Sequence, residues 1–463
     1  MKVQCICVDV VREKIDCAEK ILHECFNMLL DFKHARGDID NILTNFQPKL
    51  AECLYDLMLF YQKLCREKDN LISSKGDYEN NEFATIMSIN ASFLEIVKKT
   101  IEIGKNLGDA YAWFFYRNNR AELDKHFEHP STGLYIGGIG GLGELEFIKN
   151  ANYIEGLYVI YHGITTMLRV GDFSLYDREK GIVAVGELKT KDVDDTLEVY
   201  ANITSKVTVV EPSDMKNNSF EKRISELEKD FPKIKKQIKA QSELIKAKQG
   251  DIISDNYTSY EYEVIDKLSK DNIVVSNRDN SLILVAIWSK ESALFDVLSI
   301  KEEDVDYVVP ADLINMAKIV VETPSPYNEM IVGSITTQMT RLNIPILWWE
   351  ISDERCEELY FGKIAVVTCF NPAKLLQIFV DDGFVVSNFG QLKEININKE
   401  INGYWLGVGH FESVCYLITN NLMKTRDAYA SFLDVIKLIE SGTIKPNGKI
   451  DMHIYLSNFG RHK

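Results

Sequence analysis

Gly171-Asp172-Phe173-Ser174-Leu175-Tyr176-Asp177, followed after a short turn by Gly186-Glu187-Leu188-Lys189-Thr190, decides how this 463-residue chain reads. Residues 169–177 and 182–190 are strand-like, and the turn residues Arg178-Glu179-Lys180-Gly181 join them, which predicts a β-hairpin. Side chains alternate across a strand, so Glu187 and Lys189 fall on one face and Leu188 on the other. Paired strands lie about 4.8 Å apart, which can bring Asp172 beside Glu187 and Lys189. Apolar Ile182–Val185 leads straight into the second segment and predicts half-burial, where charged residues require a reason. Two carboxylates and an ammonium on one sheet face suit a hard cation. Mg²⁺ takes one or two carboxylates together with waters and phosphate oxygens. Lys189 can orient an attacking water or help to deprotonate it.

Working outward, Leu145–Leu168 predicts a helix before the hairpin, and Leu197–Val210 a further strand after it. Phe220–Lys248 predicts a helix through Ile224, Leu227, Phe231, Ile234 and Ile238, with Pro232 starting or kinking it. Leu282–Trp288 is a continuous apolar strand. Farther on, Lys318–Val321, Ile344–Ile351, Lys363–Phe370 and Phe384–Val386 predict strands. Met330–Leu342, Ala373–Phe379 and Ala428–Glu440 predict helices. Residues 1–128 read as three or four helices, with Leu54, Leu57, Met58, Tyr61 and Leu64 forming one apolar stripe. The expected fold class is α/β: an N-terminal helical bundle (1–128), an α/β core (144–290) and a C-terminal α/β region (291–463) without an assigned role.

An acid at the start of one strand and Glu-x-Lys on the next, with this order of flanking elements, resembles the PD-(D/E)xK nuclease superfamily. The resemblance covers residues 144–290 and implies a restriction-endonuclease-like core, closed by a helix within 219–248 and the strand 282–288. It implies Asp172 and Glu187 as ligands of Mg²⁺ or Mn²⁺ and Lys189 as the catalytic lysine. A further ligand from the preceding helix would be Glu155, with Glu146 second, and Gln237 or Gln241 would lie near the site. The implied activity is metal-dependent hydrolysis of phosphodiester bonds in DNA, suited to restriction-type or anti-phage defence. Two departures stand out: Gly171 occupies the place of the motif's proline, and Asp177 is a competing acid on the same strand.

Charge narrows the reading further. With 53 Lys+Arg against 69 Asp+Glu the net charge is −16, which repels polyanions as a whole. Segment 233–248 is the exception: Lys233, Lys235, Lys236, Lys239, Lys246 and Lys248 against Glu243 give +5. Such a stripe can neutralise phosphates and predicts salt-sensitive nucleic-acid binding along one face; the plain alternative is a solvated helix face. The competing function is a catalytically inactive scaffold of the same fold. Its N-terminal helices would then bind a protein partner or a second copy of the chain.

Other signals point to structure. No secretory signal or membrane span is read, and nine cysteines without Cys-x-x-Cys or zinc spacing predict reduced thiols in a cytoplasmic protein. Gly137–Gly143 lacks a Gly-Lys-Ser/Thr ending and reads as a hinge, with nucleotide binding as a minor alternative. Tyr111–Tyr116 reads as core, although Arg117 and Arg120 beside it leave base stacking open. His162 reads as a structural hydrogen-bonding group. Trp348-Trp349 in a strand would send one indole to each face.

Overall fold

The computed structural model describes residues 7–117, 120–130, 138–193, 196–205, 262, 265–266, 273–276, 283–289, 331–335, 337–340, 343–388, 392–409, 411–442 and 450–452. The chain is mixed helix and sheet, with helices first and mainly antiparallel sheets after them. It divides into two compact units, Met1–Gln249 and Gly250–Lys463. This division does not coincide with the boundaries expected near 128–144 and 290. The helices and the Glu-x-Lys hairpin belong to one unit.

In the first unit α1 (Val8–Lys33), α2 (Ile39–Ser73) and α3 (Asn80–Tyr116) pack against one another, and α4 (Arg120–Phe127) follows. Their apolar stripes meet in a core that includes Leu22, Phe26, Leu54, Leu57, Phe93 and Val97. Asp38 caps α2, its carboxylate accepting from the N–H groups of Asp40 and Asn41. The aromatic run at the end of α3 is core, as expected of an aromatic cluster. Tyr111, Trp113 and Tyr116 are buried, and Tyr111 stacks on Phe46 at 4.5 Å.

Next comes α5 (Gly138–Asn150), then β1 (Tyr153–Ile154), β2 (Leu157–Tyr161), β3 (Phe173–Asp177), β4 (Gly181–Val193) and β5 (Thr196–Ser205). These strands form one antiparallel meander in the order β1-β2-β3-β4-β5, with α5 packed on β4 and β5. Two expectations are corrected here. The glycine-rich stretch is no hinge over Gly138–Gly143, because those residues form the first turns of α5. The helix expected over 145–168 stops at Asn150. Glu155 and Gly156 both have positive φ (52° and 81°) and reverse the chain into the continuous apolar run of β2.

β1 is only two residues long, and among the described residues no strand pairs the outer edge of β2 beyond it. Gln47 of α2 fills that gap. Its Oε1 accepts from the Tyr161 N–H (2.8 Å) and its Nε2 donates to the Val159 carbonyl (2.8 Å).

Among its described residues the second unit holds two four-stranded sheets. One contains β6 (Ile273–Ser276), β7 (Ile283–Ser289), β8 (Ile331–Ile335) and β9 (Ile364–Phe370) in the order β6-β7-β9-β8, all antiparallel. The other contains β10 (Val385–Ser387), β11 (Asn396–Ile401), β12 (Tyr404–Val408) and β13 (Ile450–Met452), the last pair parallel. Its described helices are α6 (Asp353–Tyr360), α7 (Ala373–Asp381), α8 (Phe411–Asn421) and α9 (Thr425–Glu440).

The strands expected near 363–370 and 384–386 and the helices expected near 373–379 and 428–440 are present. Met330–Leu342 was expected as a helix, but Ile331–Ile335 pairs with β9 as a strand. Ile344–Ile351 was expected as a strand. Instead Ile346–Trp348 forms a 3₁₀ turn after Pro345, the Trp348 N–H bonding the Pro345 carbonyl (2.9 Å), and both Trp348 and Trp349 are buried.

The strand 283–289, which the resemblance implied would close the nuclease-like core, pairs with β6 and β9 in the second unit. The helix expected over 220–248, with its lysine stripe and Gln237 and Gln241, and the strand at 318–321 lie outside the described residues.

Candidate active site

The β3–β4 ladder sets the geometry. Phe173 pairs with Gly186, and the Asp172 N–H, just before the strand, donates to the same Gly186 carbonyl (2.8 Å). Glu187, the next residue of β4 after Gly186, acts electrostatically on the Asp172 carboxyl. Leu188 follows with its N–H donated to the Asp172 Oδ2 at 2.6 Å. Lys189 Nζ bonds Glu187 Oε1 at 2.9 Å, with the Glu187 side chain 12% exposed and that of Lys189 47% exposed. Glu187 raises and Lys189 lowers the pKa of the Asp172 carboxyl, so both lie within electrostatic reach of it.

A third carboxylate acts on Asp172. Glu144 of α5 accepts from the Tyr161 hydroxyl (2.5 Å), and Tyr161 pairs with Phe173 across the β2–β3 ladder. Burial, with the Glu187 and Glu144 carboxylates adding to it, pushes the Asp172 carboxyl up to about 7. The Leu188 N–H and the Lys189 ammonium oppose the rise and do not overcome it.

Neither acid expected from the preceding helix occupies this place. Glu155 lies exposed in the β1–β2 turn, and Tyr158 pairs with Tyr176, so that turn is at the Asp177 end of β3. Five residues of strand, about 17 Å, separate that end from Asp172. Glu146 is exposed and sits near Lys149 (3.9 Å) and Asn150 (3.4 Å). The helical period held the signal for Glu144. Phe147 and Ile148, three and four residues later, face the sheet, Phe147 lying 5.1 Å from the Phe173 ring. Asp177 is a turn residue, its Oδ1 accepting from Glu179 and Lys180, whose N–H groups hold its carboxyl below the usual range.

Residues 162–172 connect β2 to β3 and present Asp172. This loop is buried along most of its length, so its backbone polar groups need partners. Asp109 of α3 accepts from the Thr166 and Met167 N–H groups (2.7 and 2.9 Å) and from the Thr166 hydroxyl (2.5 Å). Lys105, one turn earlier, donates to the Gly163 and Thr165 carbonyls. Burial moves both groups toward neutrality, Asp109 up to about 6 and Lys105 down to about 8.

His126 Nδ1 accepts from the Arg169 and Val170 N–H groups (2.9 and 3.1 Å). His162 is structural, as expected, although it sits in the loop and not at a helix end. Its Nδ1 faces the Gly171 carbonyl (3.1 Å), which can only accept, so Nδ1 carries the proton and Nε2 accepts from Ser174 (2.7 Å). The Tyr116 hydroxyl lies 2.6 Å from the same Ser174 oxygen.

Among the described residues no group of three His, Cys, Asp or Glu side chains stands close enough to enclose a metal ion. The donor set on hand is the Asp172–Glu187 pair, with Glu144 acting from α5. No helix among the described residues is long and apolar enough to cross a membrane. No protein-family model matches the chain, and no curated protein and no solved structure matches it.

Proposed function

We propose that the chain is a metal-dependent nuclease that hydrolyses phosphodiester bonds in DNA, with its site at the Asp172 end of the β3–β4 hairpin. The observation that carries this reading is the Leu188 N–H, between Glu187 and Lys189, bonding the Asp172 carboxylate, with Lys189 bonded to Glu187. The site also fits a divalent cation chemically. The Glu187 and Glu144 carboxylates both act on Asp172, and with burial they outweigh the Lys189 ammonium and drive Asp172 toward its protonated form. A Mg²⁺ or Mn²⁺ bound there would favour the ionised carboxylates, polarise a phosphoryl oxygen and lower the pKa of a bound water.

Asp172 and Glu187 would hold that ion, and two carboxylates plus water and phosphate oxygens suffice for Mg²⁺. The Leu188 N–H fixes one oxygen of Asp172, leaving the other to bind. Lys189, half exposed, orients the attacking water and can relay its proton. Purified protein incubated with DNA and Mn²⁺ tests the reading. Cleavage that Glu187→Ala or Lys189→Ala abolishes without loss of fold supports it, and cleavage surviving both substitutions defeats it.

A second reading, an inactive scaffold of similar fold, is favoured by one observation: no complete three-ligand cluster stands among the described residues. Thermal stability measured against Mn²⁺ concentration separates the two. A binding site raises Tm by mass action, and Asp172→Asn removes the rise. A flat response with no cleavage favours the scaffold.

A further inference from the structure

We propose that Asp109 of α3 and His126 of α4 are positioning residues for Asp172, so that the helical region is a working half of the site. This rests on the reading of Asp172 as a site carboxylate. The loop that delivers Asp172 has no regular structure of its own to fix it. Thr165 ties it locally to His162 and Leu168, and the helices hold it at five further residues.

Lys105, Gly108 and Asp109 stand at i, i+3 and i+4 and so share one face of α3. Gly108 lets the helix lie directly on the loop, since a Cβ there would come within 2.0 Å of the Ile164 carbonyl oxygen. Lys105 then holds Gly163 and Thr165, and Asp109 holds Thr166 and Met167. His126 holds Arg169 and Val170, only two residues before Asp172. Because His126 Nδ1 accepts both bonds, its proton is on Nε2, which is buried and has no hydrogen-bond partner among the described residues. The imidazole therefore serves the loop through one atom.

At the end of this series the His162 N–H bonds the Asp172 carbonyl (2.8 Å), and the Asp172 side chain meets the Leu188 N–H. Buried polar groups of this kind are costly unless paired, which makes them specific for one loop conformation. Loosening the anchors lets the backbone of residues 166–170 relax, and the carboxylate then leaves Leu188.

The Leu188 amide is the reporter, because its N–H donates to Asp172 itself. Amide hydrogen exchange is followed by NMR on the full chain for Asp109→Asn, Asp109→Ala, His126→Phe and Thr166→Val. The last removes a single hydroxyl donor to Asp109 and guards against variants that fail to fold. Leu188 exchange is expected to quicken at least tenfold in Asp109→Ala and His126→Phe, and less in Asp109→Asn and Thr166→Val, with other β4 and β5 amides unchanged. Mn²⁺-dependent DNA cleavage is expected to fall in the same order through kcat, with KM for DNA unchanged.

Unchanged Leu188 exchange in every folded variant overturns the proposal. So does a loss shared equally by the whole sheet, which would mark the anchors as general stabilisers. If the unmodified protein does not cleave DNA, the nuclease reading fails on its own, and the Leu188 exchange still decides the positioning role.

Discussion

The Leu188 N–H donates to the carboxylate of Asp172 at 2.6 Å, a bond from the middle of the Glu-x-Lys segment back to the acid one strand away. It binds the motif's acid to the motif's own backbone, yet it does not offset the burial that holds the Asp172 carboxyl up near 7.

Asp172 therefore costs stability when ionised. With a folded pKa of about 7 against the ordinary 3.8, folded protein keeps this proton across that interval while the unfolded chain releases it. Stability from the neutral carboxyl is present below pH 3.8 and is lost as pH rises to 7, by about 4 kcal/mol. Asp172→Asn imitates the neutral form. Urea denaturation is expected to give equal stabilities near pH 4 and a variant more stable than the parent by about that amount at pH 8. A variant less stable at pH 8 would contradict the assignment.

Glu144 and not Glu146 or Glu155 acts on Asp172, which separates three acids by position. Glu144→Gln is expected to lower Mn²⁺-dependent cleavage by about ten- to a hundredfold, the effect of disturbing a group beside a metal ligand. Glu146→Gln and Glu155→Gln are expected to leave the rate within about twofold. Equal losses in all three would show that α5 supplies general charge and no specific acid.

The Glu-x-Lys hairpin was legible because its information is local: alternation, a turn ending in Gly181, and an acid at a countable distance. The helix drawn too far, over 145–168, had a local signal that went the other way. Glu155-Gly156 is a two-residue hairpin turn between apolar runs, and Leu157-Tyr158-Val159-Ile160-Tyr161 has strand composition. Glu144 was readable from the stripe of Phe147 and Ile148. The loop anchors were not. Asp109 and Thr166 are 57 residues apart, and no periodicity in either segment announces that one will hold the other. Strand 283–289 was recognised as a strand, but its partners β6 and β9 are set by long-range pairing that its own apolar run does not specify.

Acid is expected to loosen the Asp172 loop. Burial depresses the His162 imidazole to about 4 and takes His126 well below its ordinary 6.5. Both are neutral above pH 6.5, where they impose no cost. Below it the unfolded chain binds protons that the folded loop refuses, so stability falls as pH drops from 6.5 toward 4, by about 3 kcal/mol for His162. Replacing His162 by Gln removes its share of the titration. The difference in unfolding free energy between pH 7.5 and 4.5 is expected to shrink by that amount, and an unchanged difference would show that His162 protonates freely in the fold.

Gln47 makes the last case, since one side chain joins the helices to the sheet at its open edge. Its amide pairs with the Tyr161 N–H and the Val159 carbonyl, and the Tyr158 hydroxyl lies 3.1 Å from the same Nε2. All of these groups are buried, so Gln47→Leu would leave a donor and an acceptor of β2 without partners in an apolar setting. Such orphaned groups cost about 1–3 kcal/mol each, more than the packing of leucine in the same volume can return. Chemical denaturation is expected to show a loss of about 2–4 kcal/mol with an unchanged m value, the unfolding still exposing the same surface. Tyr161 also carries the hydroxyl that bonds Glu144, so the same substitution should speed Tyr161 amide exchange before that of β4. Exchange that rises first in β4 would mean that the sheet is held from its centre and that Gln47 merely fills space.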